Sequence, residues 1–179
     1  MLIEPSFVPP LDPAFQPAVL ASHCYLAAAR KTGQAVPLVI GLERERGLVS
    51  RYETCVFPAA DAATLRYVER TVKFLLWARG GWKIIIGGPK PVGEFIRKTY
   101  SPAGARKFDF DLMGAAYGKE LQVVVTAPEK VPAHREMEVA AGGHLKGCRI
   151  GFDLGASDYK VSAVVDGKAI FTEEAPWDP

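Results

Sequence analysis

The sequence predicts an α/β protein. Segments whose apolar residues recur every three or four positions alternate with short runs of β-branched residues, the pattern of helices that pack on a sheet. Apolar residues make up 49% of the chain and charged residues 23%, which is ordinary for a globular protein. A length of 179 residues allows one large domain or two small ones.

The N-terminal part is expected to be an extended arm followed by an α/β module over residues 18–126. The arm, residues 1–17, contains prolines that exclude a helix: Pro5, Pro9, Pro10, Pro13 and Pro17. The first elements predicted in the module are a helix over 18–33 that ends at Gly33, and strands over 36–42 and 48–57 joined by a turn at 43–47.

The clearest helix is predicted over residues 62–79. Asp61 is a suitable N-cap, and Gly80-Gly81 ends the periodic pattern. The apolar positions have helical spacing and are expected to face a sheet: Leu65, Val68, Val72, Leu75 and Leu76. Three charged positions are expected to stay in solvent: Arg66, Glu69 and Lys73. Trp77 and Trp82, on either side of the glycine pair, are expected to be core aromatics.

The rest of the module is expected to contain further strands and helices. A strand over 82–86 ends in Gly87-Gly88-Pro89, which we interpret as a tight connection to a helix rather than an anion site. Asp109 and Asp111 are interpreted as a solvated edge or a helix cap rather than an acid–base pair. The remaining predictions are a helix over 92–100, an ambiguous segment over 105–118, and a strand over 121–125 that is buried on both faces.

A boundary is predicted in residues 127–147, which are polar and rich in proline and glycine. We interpret this segment as a linker between the module and a second region, residues 148–179. Three antiparallel strands are predicted there, over 148–154, 159–165 and 168–173. The Asp166-Gly167 pair predicts a hairpin turn of primed type, because both central residues must tolerate a positive φ.

The charge of the chain and the positions of its cysteines limit the partners and the cellular compartment that we expect. A net charge of +2 with scattered basic residues makes nucleic acid an unexpected partner. The three cysteines lack zinc-ligand spacing and are expected to be buried free thiols in a reducing cytoplasm. No apolar run approaches a membrane span, so a soluble protein without a membrane partner is expected. The three histidines are expected on surfaces or in loops: His23, His134 and His144.

Candidate binding chemistry is concentrated in residues 151–160. Asp153 ends an apolar strand and is a suitable Mg²⁺ ligand, while Gly155 leaves room for a phosphate close to the backbone. Ser157 offers a hydroxyl and an amide, and Lys160 is a charge that can reach phosphate oxygens. On spacing alone, a plain β-hairpin with Gly155 as a turn residue remains an open alternative.

The run Asp153-Leu154-Gly155-Ala156-Ser157-Asp158-Tyr159-Lys160, placed between two apolar strands, resembles the first phosphate motif of the actin-like ATPase superfamily. Residues 148–179 are most similar to the ROK group of sugar kinases. The resemblance implies the first hairpin strands of an actin-like, ribonuclease H-like ATPase domain. It also implies ATP and Mg²⁺ as cofactors and a sugar as a further partner. Asp153 would help to bind the metal, and the phosphate-binding residues would be Gly155, Ala156, Ser157 and Lys160.

The same resemblance implies that the kinase site is only begun here. The second phosphate motif and the catalytic aspartate of ROK kinases would lie beyond residue 179, so no catalytic residue is predicted and the chain is interpreted as an N-terminal region. Two alternatives stay open: a non-catalytic α/β binding or scaffolding module, and an ATPase activator of the same superfamily. The oligomeric state does not follow from the sequence.

Overall fold

The computed structural model describes residues 9–13, 15, 17–137 and 143–177. Helices and strands alternate along the first part of the chain, so the predicted α/β class is confirmed. The chain divides into two compact units, Met1–Met137 and Glu138–Pro179. Much of the predicted extended arm, residues 1–8, 14 and 16, lies outside the described residues.

The first unit is built on a four-stranded mixed sheet with the strand order β2-β1-β3-β4. Strand β1 is antiparallel to both β2 and β3, whereas β3 and β4 run parallel. A parallel pair needs a crossover, and two helices lie between β3 and β4 in the chain. The strands are β1 Val36–Glu43, β2 Val49–Val56, β3 Lys83–Gly87 and β4 Gln122–Thr126.

The described residues of this unit contain four α-helices: α1 Ala18–Lys31, α2 Ala62–Arg79, α3 Lys90–Thr99 and α4 Lys107–Tyr117. The predicted helix over 62–79 is confirmed. The Asp61 side chain accepts a hydrogen bond from the amide of Thr64 over 2.8 Å, and the chain leaves the helix at Gly80 with φ of 71°. The segment that the sequence left ambiguous, 105–118, contains α4. β1 and β2 are joined by a tight turn in which Arg46 and Gly47 have φ of 58° and 68°, and a short 3-10 helix lies at Pro128–Lys130.

The main core lies between α2, α3 and one face of the sheet. Val68, Val72 and Leu76 are fully buried, and Leu65 and Leu75 are partly buried, so the predicted apolar stripe is confirmed. Glu69 does not stay in solvent as expected. Its side chain is only 14% exposed, because the Nε of Arg106, at the start of α4, donates to it over 2.5 Å.

The opposite face of the sheet is covered in part by residues 128–137, which we call the strap. Val131 of the strap is buried against Val39 and Ile85. It fits because the neighbouring strands carry glycine: a Cβ on Gly41 or Gly87 would lie 2.8 or 2.5 Å from a Val131 methyl group. The Val131 side chain therefore takes the space that two side chains would have filled.

The strap also meets the outer edge of β2. Val49 and Arg135 exchange two backbone hydrogen bonds of 2.8 and 2.9 Å. The next outward amide, that of Arg51, donates to His134 Nδ1 over 3.3 Å. Part of the segment predicted as a linker, residues 127–137, thus belongs to the first unit, and residues 138–142 lie outside the described residues.

Strand β4 is not buried on both faces as predicted. It is an edge strand of the sheet, and Val124 is exposed on the face away from the helices. On the other face Val125 packs under α3, where Gly93 permits the contact; a Cβ there would lie 2.5 Å from a Val125 methyl. The apolar sequence of β4 therefore predicts a strand, but it does not predict whether both faces of that strand are covered.

The second unit is a three-stranded antiparallel sheet with the strand order β5-β6-β7. Its strands are β5 Cys148–Leu154, β6 Asp158–Val165 and β7 Lys168–Pro176. Asp166 and Gly167 have φ of 47° and 81°, so both the three-strand prediction and the primed turn are confirmed. The Asp166 carboxylate accepts the amide of Gly147 over 2.7 Å and holds the turn against the start of β5.

The two faces of this second sheet differ in polarity. Cross-strand partners share a face, so Asp153, Lys160 and Glu174 form a polar row. The other face is mostly apolar, although it also carries Glu173. Four of its large side chains are exposed: Ile150, Phe152, Leu154 and Phe171.

The histidine side chains follow the predicted exposure, whereas the cysteine side chains do not. His23, His134 and His144 are exposed, as expected. All three cysteines are free, but none is fully buried: Cys148 is exposed, because β5 is uncovered, and Cys24 and Cys55 are half-buried. Within the described ranges, no helix combines the length and apolar character needed to cross a bilayer.

Candidate functional site

The turn between β5 and β6 consists of Gly155, Ala156 and Ser157. It is closed by the amide of Gly155, which donates to the carbonyl oxygen of Asp158 over 2.8 Å. A Cβ on Gly155 would lie 3.0 Å from that same oxygen and 3.1 Å from the Asp158 carboxylate. Glycine is therefore favoured at this position by the close approach of Asp158.

Trp177 donates two hydrogen bonds to this turn. Its indole Nε1 donates to the carbonyl of Gly155 over 2.9 Å, and its backbone amide donates to the carbonyl of Ser157 over 3.1 Å. The indole also meets the ring of Tyr159 edge-on, with centroids 6.3 Å apart. Two turn carbonyls are thereby engaged on one side. Sequence reasoning missed this role, although a tryptophan just after the last strand was a visible signal.

The amides of Ala156 and Ser157 are in a different situation. Both residues are exposed, and within the described part of the chain neither amide has a hydrogen-bond partner. Two adjacent amides without partners leave two positively polarised donors that an anion could accept from. The Ser157 hydroxyl is directed toward its neighbour, since it donates to the Asp158 carboxylate over 3.3 Å.

Lys160 lies beside the turn on the polar face. Its Nζ is 3.3 Å from the Asp158 carboxylate and 3.6 Å from that of Glu174. The hydrogen bond to Asp158, with the charge of Asp158 and then that of Glu174, raises the pKa of Lys160. The ammonium group thus stays charged near the turn, but it has to leave or share these carboxylates to reach a ligand.

Asp153 stands directly opposite Lys160 across the β5–β6 pair and is exposed. No group of three His, Cys, Asp or Glu side chains suited to a metal occurs among the described residues. Asp153 therefore does not belong to a three-ligand cluster, and a Mg²⁺ ion here would take most of its oxygens from water and from the bound ligand, as Mg²⁺ commonly does.

The other sequence candidates do not join this site. Gly87 lies under Val131, and Gly88 donates to the carbonyl of Thr126 over 3.2 Å, which fits the expected structural connection. Asp109, expected at a solvated edge or as a helix cap, is neither. It is buried in the first turn of α4, where Arg106 holds the N-cap position, and its carboxylate accepts a hydrogen bond from the indole Nε1 of Trp77. Asp111 instead pairs with Lys107.

The tryptophans beside the glycine pair were also expected to be core residues. Trp77 is 51% exposed, because the main core is closed by the opposite side of α2, and Trp82 is half-buried. Lys83 and Lys119 place their Nζ atoms 4.3 and 4.8 Å from the centre of the Trp82 ring.

In comparisons with known proteins, no family model matches the chain, and neither a curated protein nor a solved structure matches it. The class of protein is therefore defined by the fold alone, as an α/β unit followed by a three-stranded antiparallel unit.

Proposed function

We propose that this chain contributes the first phosphate-binding hairpin of an ATP-dependent sugar kinase of the ROK type, within the actin-like ATPase superfamily. One observation carries the proposal: an exposed Gly155–Ser157 turn presents two unpartnered amides between Asp153 and Lys160, which face each other across the hairpin. The antiparallel order β5-β6-β7 agrees with the strands that the resemblance implies.

The proposed ligand is Mg²⁺-ATP. The amides of Ala156 and Ser157 would bind phosphate oxygens, and Lys160 would add a positive charge at the side of the turn. Asp153 would hold the Mg²⁺ ion, directly or through water. Bound there, the metal neutralises phosphate charge. We place this activity in the cytoplasm, where ATP is abundant and where three free thiols would stay reduced.

This hairpin offers only one side of a phosphate cradle. Phosphoryl transfer needs in-line positioning, charge stabilisation and a group that orients the nucleophile. The sequence shows no second phosphate motif, and no cluster of three or more metal-binding side chains occurs in the described ranges. We therefore expect residues 1–179 to bind Mg²⁺-ATP with a dissociation constant on the order of 1 mM, and to transfer no phosphate to glucose. Measurable glucose phosphorylation by the purified chain would overturn this.

The proposal is tested by titrating the purified chain with a fluorescent N-methylanthraniloyl ATP, with and without Mg²⁺. The variant Asp153→Asn should lose the affinity gained with Mg²⁺ and bind like the wild type in EDTA. The matched control is Glu173→Gln, which removes one charge from the same sheet; Glu173 pairs with Val161, on the face away from Asp153. Equal Mg²⁺ dependence in the wild type and in Asp153→Asn would refute the assignment.

A further inference from the structure

The first unit carries an exposed surface of aromatic and basic side chains on α2 and the start of α4. A groove of about 640 Å³ on this surface is lined by Arg70, Lys73, Phe74, Trp77 and Arg106, among others. Phe74 is 71% exposed, and Phe108 beside the groove is 68% exposed. Three large aromatic side chains, including Trp77, thus lie in solvent on one surface, which is a feature of interaction sites in soluble proteins.

Trp77 is fixed in its exposed position. Its Nε1 donates to the buried carboxylate of Asp109 over 2.5 Å, and its ring is nearly parallel to that of Phe108, at 8° and 6.3 Å. Burying a carboxylate is costly unless donors satisfy it. That carboxylate holds the indole against rotation, so an aromatic face is presented to solvent in one orientation. An immobilised aromatic loses little side-chain entropy when a partner covers it.

The charge of the groove is positive. The carboxylates around it are already engaged: Glu69 by Arg106, Asp109 by Trp77, and Asp111 by Lys107. Arg70 and Lys73, by contrast, have no acidic partner within the described part of the chain. Both residues are half-buried, and long basic side chains in this situation can lay their stems on apolar surface while the charged group stays in solvent.

We propose that this groove docks an acidic amphipathic peptide segment of a partner protein. Large apolar side chains of the segment would cover Phe74, Trp77 and Phe108, and its carboxylates would pair with Arg70 and Lys73. Tryptophan and arginine at the centre of the surface match the composition of binding hot spots. A nucleic acid fits less well, because a net charge of +2 and two unpaired cations do not form a track for a phosphate backbone. The proposal is independent of the β5–β6 hairpin.

The test uses the full chain and a fluorescein-labelled helical peptide of 15 residues. The peptide carries Leu and Phe on one face and Glu on the other, and its anisotropy is followed. Binding should saturate and weaken with salt, because part of the attraction is electrostatic. Charge reversal by Lys73→Glu or Arg70→Glu should weaken it about tenfold or more, since like charges would then face each other. The control is Arg79→Glu at the exposed end of α2, outside the groove, which should change affinity little.

A second variant, Phe74→Ser, separates docking from folding, because Phe74 is exposed and its loss opens no cavity. It should weaken binding while leaving the circular dichroism and the unfolding midpoint unchanged. The proposal is overturned by any of four results: no saturable binding, equal binding of a Lys-for-Glu peptide, wild-type affinity in Lys73→Glu, or tighter binding of a 15-nucleotide oligothymidine. Dimerisation of the chain that Phe74→Ser abolishes would also overturn it, in favour of a second copy as the occupant.

Discussion

The indole nitrogen of Trp77 lies 2.5 Å from the carboxylate of Asp109, in a hydrogen bond that joins α2 to α4. The two ends of this bond differ in environment: Trp77 is 51% exposed, whereas Asp109 is 3% exposed. The bond therefore satisfies a buried charge and orients a surface ring at the same time.

Replacement of Trp77 by Phe should destabilise the fold although the residue is half exposed. Asp109 would lose the indole donor, and an unsatisfied buried acceptor costs about 1–3 kcal/mol. Urea unfolding followed by far-ultraviolet circular dichroism measures the effect. Phe108→Leu, which changes only the exposed ring stacked on Trp77, is the control and should cost less than half as much. Wild-type stability in Trp77→Phe would mean that solvent replaces the donor.

Replacing either glycine under Val131 by alanine should destabilise the fold. The second substitution Val131→Ala should restore the lost stability to a different extent at the two positions. Gly87→Ala places a Cβ 2.5 Å from Val131 and 2.8 Å from the Cα of Pro128, whereas Gly41→Ala is tight mainly against Val131, at 2.8 Å. Both should destabilise by about 1–3 kcal/mol through overpacking. Adding Val131→Ala should relieve Gly41→Ala more fully, because backbone atoms still oppose the new methyl at position 87. A double-mutant cycle by chemical unfolding measures this coupling, and equal rescue at both positions would contradict the packing described.

Stability should fall at alkaline pH. Burial raises the pKa of Tyr67 to about 12, although its hydrogen bond to Thr54 acts in the opposite direction. Burial also raises the pKa of Tyr100, with the charges of Glu69 and Asp109 contributing.

The sign of this effect follows from proton binding. Above pH 10 the unfolded chain loses phenolic protons that the folded chain keeps, so unfolding becomes more favourable as pH rises. Each tyrosine lowers the free energy of unfolding by up to about 1.4 kcal/mol per pH unit between its unfolded and folded pKa. Urea unfolding from pH 9 to 11.5 tests this, and Tyr67→Phe should flatten the decline. An unchanged pH profile in that variant would assign the loss of stability to other groups.

Trp177→Phe should loosen the turn at Gly155–Ser157. The substitution removes the indole donor to the Gly155 carbonyl but keeps the backbone bond to Ser157. Amide hydrogen exchange at residues 155–158 should become faster, and affinity for Mg²⁺-ATP, if bound as proposed, should fall about threefold. Tyr159→Phe is the matched control, because it keeps the ring that contacts Trp177. Unchanged exchange in Trp177→Phe would show that the indole bond does not hold the turn.

The apolar face of the second sheet should bind hydrophobic dyes. Ile150 and Phe152 are exposed on β5, and contiguous apolar surface of this kind is uncommon in soluble proteins. The double change Ile150→Thr and Phe152→Thr places a β-branched residue with high strand propensity at both positions and should reduce anilinonaphthalene sulfonate fluorescence by more than half. Cys148→Ser, at the start of the same strand, is the control. Undiminished fluorescence in the double variant would place the dye elsewhere.

Features fixed by local chemistry could be predicted from the sequence. The ends of α2 follow from Asp61 and Gly80, and the last hairpin follows from Asp166-Gly167, because each signal acts within a few residues. The position of the candidate site was also accessible, since its residues are consecutive.

Features that depend on distant partners could not be predicted. The exposure of Trp77 depends on Asp109, 32 residues along the chain, and the burial of Glu69 depends on Arg106, 37 residues along. Strand β4 shows the same limit, because its apolar run does not reveal that it is an edge strand. The contact of Trp177 with the turn spans 22 residues and had no local signal beyond the residue itself.

The position of the strap on β2 has a consequence for association between copies of the chain. β2 is an edge strand, and an uncovered edge offers a row of amides and carbonyls on which another chain can add a strand. Arg135 and His134 take up the outward-facing amides of Val49 and Arg51, so the first half of that row is closed to a foreign strand. By occupying these amides, the strap disfavours the pairing of β2 with a strand of another copy. Proteolytic cleavage between Val131 and His134 would free this edge of β2.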